Sequence, residues 1–571
     1  RDFTFIIKVL AYDRISSLSR CLNSLSRAHY DVGDKVHLHV FIDHFRLDYG
    51  TPSAVTDQSL NTSNEILDFV DMFDWAFGEK VVHYRTSNVG LQAQWLESWW
   101  PSSNHEFAFV VEDDMEVSPL YYRFLKALIL NYYYNSSNSS PKVYGASLQR
   151  PRFVPGKHGN EINLDVESRI FLYQLVGTWG QLLFPGPWKE FRRWYDVRKA
   201  KNMKPILDGM ITTRWYKRMG ERIWTPWFIK FIHSSGYFNL YTNFHNSTAL
   251  SISHREAGVS NRAMSGPDSD LMMDGNSIGS DLLELPPLDN LKWYDFCFRE
   301  VLTNRFIGSL NDLGSVIQSL QKDGSILFLS LYRAHVKGIR NILCHFERLN
   351  IRNYILIGPS SDFLIDLSRR GHAVIDAAQF YYDTKSLNLR DSNIERIEEI
   401  VVKAYAIKKS LELSLNTLFL DGHLLPLYND SFFDILGRSG DDFYIGKSSG
   451  ILYTRGSTSV SKIWSAELIH SFASDVNGES VSRDHLFLYG VEKFLEKKHN
   501  VKVKNIDEMK LGFEIGSYNV SMTKSLENTV RFVYWSYGRT DIDTIQKGLE
   551  HFGLWVVDAD SSCTAVFCHG T

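Results

Sequence analysis

The chain is poor in cysteine. It has five, Cys21, Cys297, Cys344, Cys563 and Cys568, in 571 residues. That is too few for a disulfide-built scaffold, and no Cys/His spacing of a zinc site accompanies them. The odd count leaves at least one thiol free or paired between chains, while Cys563 and Cys568 are close enough in sequence to bridge the C-terminal tail. No run of 18 apolar residues is present, so no segment is expected to span a membrane, and no signal peptide is recognisable. Positive charge is not in excess either. A net charge of −4 gives no basic footprint, which excludes nucleic acid as the expected partner. Short repeats are absent, and the one compositionally biased tract is SGPDSDLMMDGNSIGSDLLELPP, inside Gly258 to Pro287. It has no hydrophobic period and reads as a loop or linker.

What is present is alternation. Phe3 to Ala11 predicts a strand, and Ile15, Leu18, Cys21, Leu22 and Leu25 fall on one helical face. Val36 to Asp43 is the next strand, a helix carries Ile66, Leu67, Val70 and Phe73, and Lys80 to Tyr84 is again strand. Leu91 to Trp100 reads as a helix closed by Pro101, and Phe107 to Val111 as a buried strand. The pattern restarts after about Asn311, with strands at Ile326 to Leu331, Tyr354 to Gly358, Ala373 to Asp376 and Thr417 to Asp421. Helices are expected between them at Val336 to Leu349, Phe363 to Arg369 and Ile397 to Leu413. Two tandem α/β domains with mostly parallel sheets follow, one over 1–260 and one over 311–571, joined by a linker over 261–310.

The chemistry concentrates in VVEDDMEVSP, Val110 to Pro119. A core strand that stops on Glu112, Asp113 and Asp114 repels itself unless a cation sits there. Mg²⁺ and Mn²⁺ take oxygen ligands, typically one or two carboxylates plus substrate phosphates. A metal-bridged diphosphate at the C-terminal end of a strand is therefore expected, where open α/β sheets bind ligands. Asp13-Arg14 and Asp43 also stand at strand ends, and Asn88-Val89-Gly90 precedes a helix, so all can reach one rim. An arginine there supplies charge-assisted hydrogen bonds to a diphosphate, and Asp43 supplies an acceptor of the type a uracil N3–H needs.

These residues resemble those of nucleotide-sugar glycosyltransferases of the GT-A fold, and over the first 260 residues they are similar to the N-acetylglucosaminyltransferase I family. That family has a strand followed by Asp-Arg, a strand ending in Asp, then an E-D-D-x-E-V-x-P segment. Asp13-Arg14, Asp43 and Glu112 to Pro119 match these in order and spacing. The resemblance implies that Asp114 ligates Mn²⁺ (or Mg²⁺), that Glu112 and Asp113 contact the nucleotide-sugar, and that Asp43 contacts the base. Asp13, Arg14, Asn88 and Trp179, the last within Gly177-Thr178-Trp179-Gly180, join the nucleotide-sugar set. Ser253-His254 matches a late serine–histidine pair, with His254 as a further metal ligand. Core packing for Trp179 and a satisfied loop position for His254 remain open as bland alternatives. The family's catalytic acid just before a Trp is missing, because Thr213-Arg214 precede Trp215. Asp208, the nearest upstream acid, is the candidate base, and Glu256 or a retaining reaction are the alternatives.

Residues 325 to 500 resemble a different group, the plant cell-wall nucleotide-diphospho-sugar transferases that include xylosyl- and arabinosyltransferases. The matching order is Lys403 and Lys408-Lys409 on a helix, Leu418 to His423, Ser449 to Arg455, then Arg483-Asp484-His485. Where that family has D-x-D this chain has Asp421-Gly422-His423, and where it has Asp-Gln this chain has Asp484-His485. Asp421, His423 and Asp484 are thus candidate ligands of a second, carboxylate-poor metal site, and a degenerate second domain is expected.

The functional expectation is a metal-dependent glycosyltransferase moving a sugar from a nucleotide donor, UDP-linked, to a glycan hydroxyl. Its rivals are a bifunctional enzyme and a non-catalytic glycan-binding or scaffold protein. A nucleotidyltransferase would carry a Gly-rich basic loop after its first strand, which Ala11-Tyr12-Asp13-Arg14-Ile15 does not supply. Six N-x-S/T sequons, at Asn61, Asn135, Asn138, Asn246, Asn429 and Asn519, favour the Golgi or another secretory lumen. Arg1-Asp2 leads straight into a strand, so a preceding segment carrying a membrane anchor is expected.

Overall fold

A computed structural model describes residues 2–157, 162, 164, 169–259, 262–267, 269–273, 282–384, 394–429, 436–477, 485–516, 526, 528–536 and 538–570. The chain divides into two units, Arg1–Val301 and Leu302–Thr571.

The first unit begins β1 (Thr4–Ala11), α1 (Ile15–Ser26), β2 (Val36–Ile42), α2 (Ser53–Met72), β3 (Lys80–Tyr84), α3 (Gly90–Glu97), β4 (Glu106–Glu112). It continues β5 (Met115–Val117), α4 (Tyr121–Leu128), β6 (Val143–Ser147), β7 (Ile170–Tyr173), β8 (Gln181–Leu183), α5 (Pro185–Ala200), α6 (Ile211–Met219), α7 (Thr225–Ser235) and β9 (Phe238–Thr242). Short strands β10 (Thr248–Ala249), β11 (Ser251–Ser253), β12 (Asp270–Leu271) and β13 (Trp293–Tyr294) close it. Nine strands form one sheet in the order β13-β7-β9-β6-β8-β4-β1-β2-β3. The β3-β2-β1-β4 half is parallel, and β8 then runs antiparallel to β4. β1 and β4 are apolar along nearly their whole length because their faces are covered. α1 lays Leu18, Cys21, Leu22 and Leu25 on the sheet, the face its sequence predicts.

Register positions the site. Ala11 of β1 lies opposite Ile42 of β2, and Leu10 lies opposite Glu112 of β4. Asp13-Arg14, Asp43 and Glu112 to Asp114 therefore leave the sheet at one rim. β5 turns back and pairs antiparallel with β11, Met115 opposite Ser253. The segment read as a linker, 261–310, supplies β12 and β13 to this unit and buries Met272, Leu282 and Leu288 in its core.

The second unit repeats the plan. Its elements are β14 (Phe306–Ile307), α8 (Leu310–Leu320), β15 (Ser325–Ser330), α9 (Val336–Leu349), β16 (Tyr354–Gly358), α10 (Asp362–Arg369) and β17 (Val374–Asp376). Then come α11 (Ala377–Thr384), α12 (Ile394–Glu412), β18 (Asn416–Asp421), β19 (Leu424–Pro426), β20 (Phe443–Gly446) and β21 (Ile451–Thr454). β22 (Lys504–Asn505), β23 (Gly512–Glu514) and β24 (Phe532–Tyr534) complete the strands. The main sheet runs β14-β17-β16-β15-β18-β21-β20-β22. Its first five strands are parallel and β21 is antiparallel to β18. Both units thus carry a parallel third-second-first-fourth strand order, followed by a reversed strand, the arrangement expected of two tandem GT-A-like α/β domains.

One expectation is corrected. Cys563 bridges Cys344 on α9, with Cα atoms 5.6 Å apart, and not its sequence neighbour Cys568. The C-terminal tail lies along α9, where Asn341 and His345 both bond the Leu554 carbonyl, so Cys344 is the thiol it meets. The free cysteine is Cys21, buried on α1.

Candidate functional site

The rim of the first unit gathers most of the residues singled out by sequence. Asp43 is buried and accepts four hydrogen bonds. Oδ1 takes the N–H groups of His44 and Val89, both at 2.9 Å, and Oδ2 takes Gly90 N–H at 2.8 Å and Asn88 Nδ2 at 3.2 Å. Asn88 also donates to the His44 carbonyl at 2.7 Å. Gly90, at φ 79°, lets the chain turn into α3 here. Asp43 and Asn88 therefore build one loop beside the strand ends.

Arg14 ion-pairs with Asp113 Oδ1, and its other terminal nitrogen donates to the Ala257 carbonyl at 3.2 Å. Asp113 Oδ2 is buried with no hydrogen-bond partner among the described residues. Burial outweighs the pull of Arg14 and pushes the Asp113 carboxyl up to about 6. Glu112 accepts the Trp95 indole N–H at 3.0 Å, and burial, then the Asp114 charge, push it up to about 8. Asp114 is buried, accepts Ser253 Oγ at 3.2 Å, and takes the His254 N–H on its carbonyl at 2.9 Å. His254 Nε2 lies 2.8 Å from Glu116 Oε2. Three adjacent carboxylates with one guanidinium against them form a cluster that a cation would stabilise.

Asp114 and the unpartnered oxygen of Asp113 are oxygen donors of the kind a hard divalent ion accepts, with the His254 imidazole beside them. Among the described residues no group of three or more His, Cys, Asp or Glu is arranged to hold a metal alone. The donor set fits an ion shared with an oxygen-rich ligand.

The remaining candidates stand apart from that cluster. Asp13 is exposed at the end of the β1 turn. Trp179 is half-buried, its N–H bonded to Gln149 Oε1 at 2.9 Å and its ring under the Arg152 guanidinium at 4.6 Å. Asp208 is exposed in the turn before α6 and makes no hydrogen bond to the acids among the described residues. That turn is anchored by the Ile211 N–H on the Pro155 carbonyl, at 2.9 Å, so it flanks the same 149–157 segment that carries Arg152. Glu256 is tied to α1 by Ser17 and by Arg20 at 2.6 Å. Gln149, Arg152 and Trp95 were not singled out by sequence, and Glu116 only as a member of the Glu112 to Pro119 segment, without a role. Gln149-Arg150-Pro151-Arg152, a polar run just past an apolar strand, was the available signal for two of them.

In the second unit, Asp421 ends β18 and is buried. Its Oδ2 lies 2.6 Å from His485 Nδ1, and its Oδ1 lies 3.5 Å from Lys403 Nζ. Burial alone would raise the Asp421 pKa, yet Lys403 and then His485 hold it well below the usual range. His423 is buried beside it and burial lowers its pKa to about 4. Asp484 lies outside the described residues.

The protein family described as SPBC1E8.03c C-terminal domain matches residues 17–204. No curated protein matches the chain. Among solved structures, mouse xyloside xylosyltransferase 1 in its apo form is 12% identical over 39% of this chain and 99% of its own, with a TM-score of 0.25. S. aureus TarS 1-349 in complex with UDP-GlcNAc is 14% identical over 33% of this chain and 47% of its own, at 0.21. Mannosyltransferase PcManGT from Pyrobaculum calidifontis, in complex with GDP-Man and Mn²⁺, is 12% identical over 33% and 47%, at 0.20. The chain spans about half the length of the last two.

Proposed function

We propose that the first unit is a metal-dependent glycosyltransferase that moves a sugar from a UDP-linked donor to a glycan hydroxyl. The observation that carries this reading is the open, buried Asp113 oxygen beside Asp114, at the rim where β1, β2 and β4 end together. Asp114 and His254 would hold Mn²⁺ or Mg²⁺, and the ion would offset charge developing on the leaving diphosphate. Arg14 faces the same acids and adds a fixed positive charge for that diphosphate. The Asp43–Asn88 loop forms one wall of the nucleotide site. Trp179, with a ring face backed by Arg152, is a platform for the apolar side of a sugar. Asp208 is the general base for the acceptor hydroxyl, since it is exposed, while Glu256 is held by Ser17 and Arg20.

A secretory-lumen location, such as the Golgi, belongs to the same proposal. The Cys344–Cys563 disulfide suits an oxidising compartment, and the sequon residues Asn61, Asn135 and Asn246 are exposed. A panel of nucleotide sugars, assayed for hydrolysis with Mn²⁺ and with chelator, tests the assignment. Turnover of a UDP-sugar only with metal is expected; no turnover of any nucleotide sugar under either condition overturns it.

A further inference from the structure

The two units place the same local framework at the same end of the sheet. In the first, β5 pairs with β11 and the His254 N–H bonds the Asp114 carbonyl at 2.9 Å. In the second, β19 pairs with β24 and the Trp535 N–H bonds the His423 carbonyl at 3.0 Å. His423 thus takes the position of Asp114, and Trp535 that of His254. Gly422 takes the position of Asp113, and no side chain fits there. A Cβ on Gly422 would lie 2.6 Å from the Ser330 carbonyl oxygen and 2.7 Å from the Ala334 and Ile339 side chains. Three of the first unit's candidate cation-facing groups are therefore replaced, one of them for steric reasons.

The charge is inverted as well. Lys403, buried on α12, sets its ammonium 2.5 Å from Glu399 and 3.5 Å from Asp421. Arg333 grips Glu399 with two hydrogen bonds of 2.8 Å. These residues line a cavity of about 380 Å³ together with Arg396, Ser536 and Thr540. Its charged lining is three bases, Arg333, Arg396 and Lys403, against two acids, Glu399 and Asp421. The first unit's strand-end cluster is three acids, Glu112, Asp113 and Asp114, against one arginine, Arg14. A fixed ammonium beside the strand-end carboxylate removes the need for an added cation there.

We propose that this cavity of the second unit binds a diphosphate-bearing small molecule with the protein's own Lys403, Arg333 and Arg396, and without a divalent metal. The Arg396 guanidinium can match phosphate oxygens bidentately, Arg333 and Lys403, held by Glu399, add fixed positive charge beside it, and the ends of parallel strands are where such ligands sit. The apolar wall of Phe419 and Phe487 leaves room for an uncharged moiety attached to the diphosphate. Asp421 is a positioning residue in this arrangement, holding Lys403 and His485.

The test uses the full chain carrying Asp114→Ala, which removes the first unit's metal ligand, in excess chelator. Inorganic pyrophosphate and UDP are titrated separately by calorimetry. Binding of either is expected, weakened at least tenfold by Arg396→Ala, an exposed side chain whose loss leaves the core intact, and weakened further by salt. Tighter binding of UDP than pyrophosphate would identify a nucleotide as the source of the diphosphate, and the reverse an inorganic or non-nucleotide one. No binding in chelator, binding that appears only when Mn²⁺ or Mg²⁺ is restored, or binding indifferent to Arg396→Ala would each overturn the proposal. Because the first unit is disabled throughout, failure here leaves the metal-dependent transferase reading untouched.

Discussion

Asp43 accepts the backbone N–H of Gly90 at 2.8 Å, and with it the N–H groups of His44 and Val89. A carboxylate chosen from sequence as a base-contacting group is thereby also the keystone of a loop. Removing it leaves three backbone donors to find water. Asp43→Ala is expected to cost about 3 kcal/mol, the scale of losing charge-assisted bonds at a buried site. It should also abolish UDP affinity, because the loop is one wall of the proposed site. Thermal unfolding and UDP titration on the same preparation check both. Unchanged stability would mean that the loop does not depend on Asp43.

Asp114 gives the opposite balance. It is one of three neighbouring acids, and Asp114→Ala removes like-charge repulsion from Glu112. In chelator the variant is expected to melt no lower than wild type, while Mn²⁺-dependent donor turnover falls at least a hundredfold. A melting curve with and without Mn²⁺, beside a turnover assay, separates a lost ligand from a lost fold. Full activity in the variant would remove Asp114 from the metal site.

Much of this was legible in the sequence where local pattern and burial agree. Strands over Lys80–Tyr84 and Tyr354–Gly358 and the helix over Val336–Leu349 lie where apolar runs and helical period predict them. The rim could be assembled in advance because parallel neighbours in register bring their last residues together. What the sequence hid was long-range. Lys403 and Asp421 are 18 residues apart and meet only because α12 packs beside β18, a contact no spacing rule reports. Arg152 reaches Trp179 from a different strand end. The partner of Cys563 is 219 residues away, and proximity in sequence pointed to Cys568 instead. The sequence placed the lost carboxylate at His423 and gave no weight to Gly422, where the packing of Ser330, Ala334 and Ile339 leaves no room for a side chain.

The Cys344–Cys563 bridge closes a loop of 219 residues. Long loops lose the most unfolded-state entropy on cross-linking, so Cys344→Ser is expected to destabilise the second unit by about 2–4 kcal/mol. Reductant should lower the melting temperature of wild type and leave the Cys344→Ser variant less affected. Limited proteolysis then cuts the segment after Leu554 sooner than in wild type, since hydrogen bonds from Asn341, His345 and His569 replace a covalent tie to α9 there.

His345 makes the second unit sensitive to acid. The side chain is fully buried, and Nε2 lies 2.7 Å from the Leu554 carbonyl, so Nε2 carries the proton of the neutral ring. Nδ1 is buried with no hydrogen-bond partner among the described residues. Burial lowers the His345 pKa to about 4, and the Leu554 bond only partly opposes it. The folded value lies below the unfolded one, so between them the unfolded chain binds more protons. The stabilising contribution is therefore complete above pH 6.5 and is lost as pH falls toward 4, on the order of 3 kcal/mol for a group this displaced. His372, lowered to about 4 mainly by burial, adds in the same direction. His345→Gln keeps a donor for Leu554 but cannot be charged. Denaturant midpoints of the second unit's transition, measured from pH 7 to pH 4, should fall less steeply in His345→Gln than in wild type. Parallel slopes would show that the imidazole stays neutral in neither state over that range, or in both, and would refute the assignment.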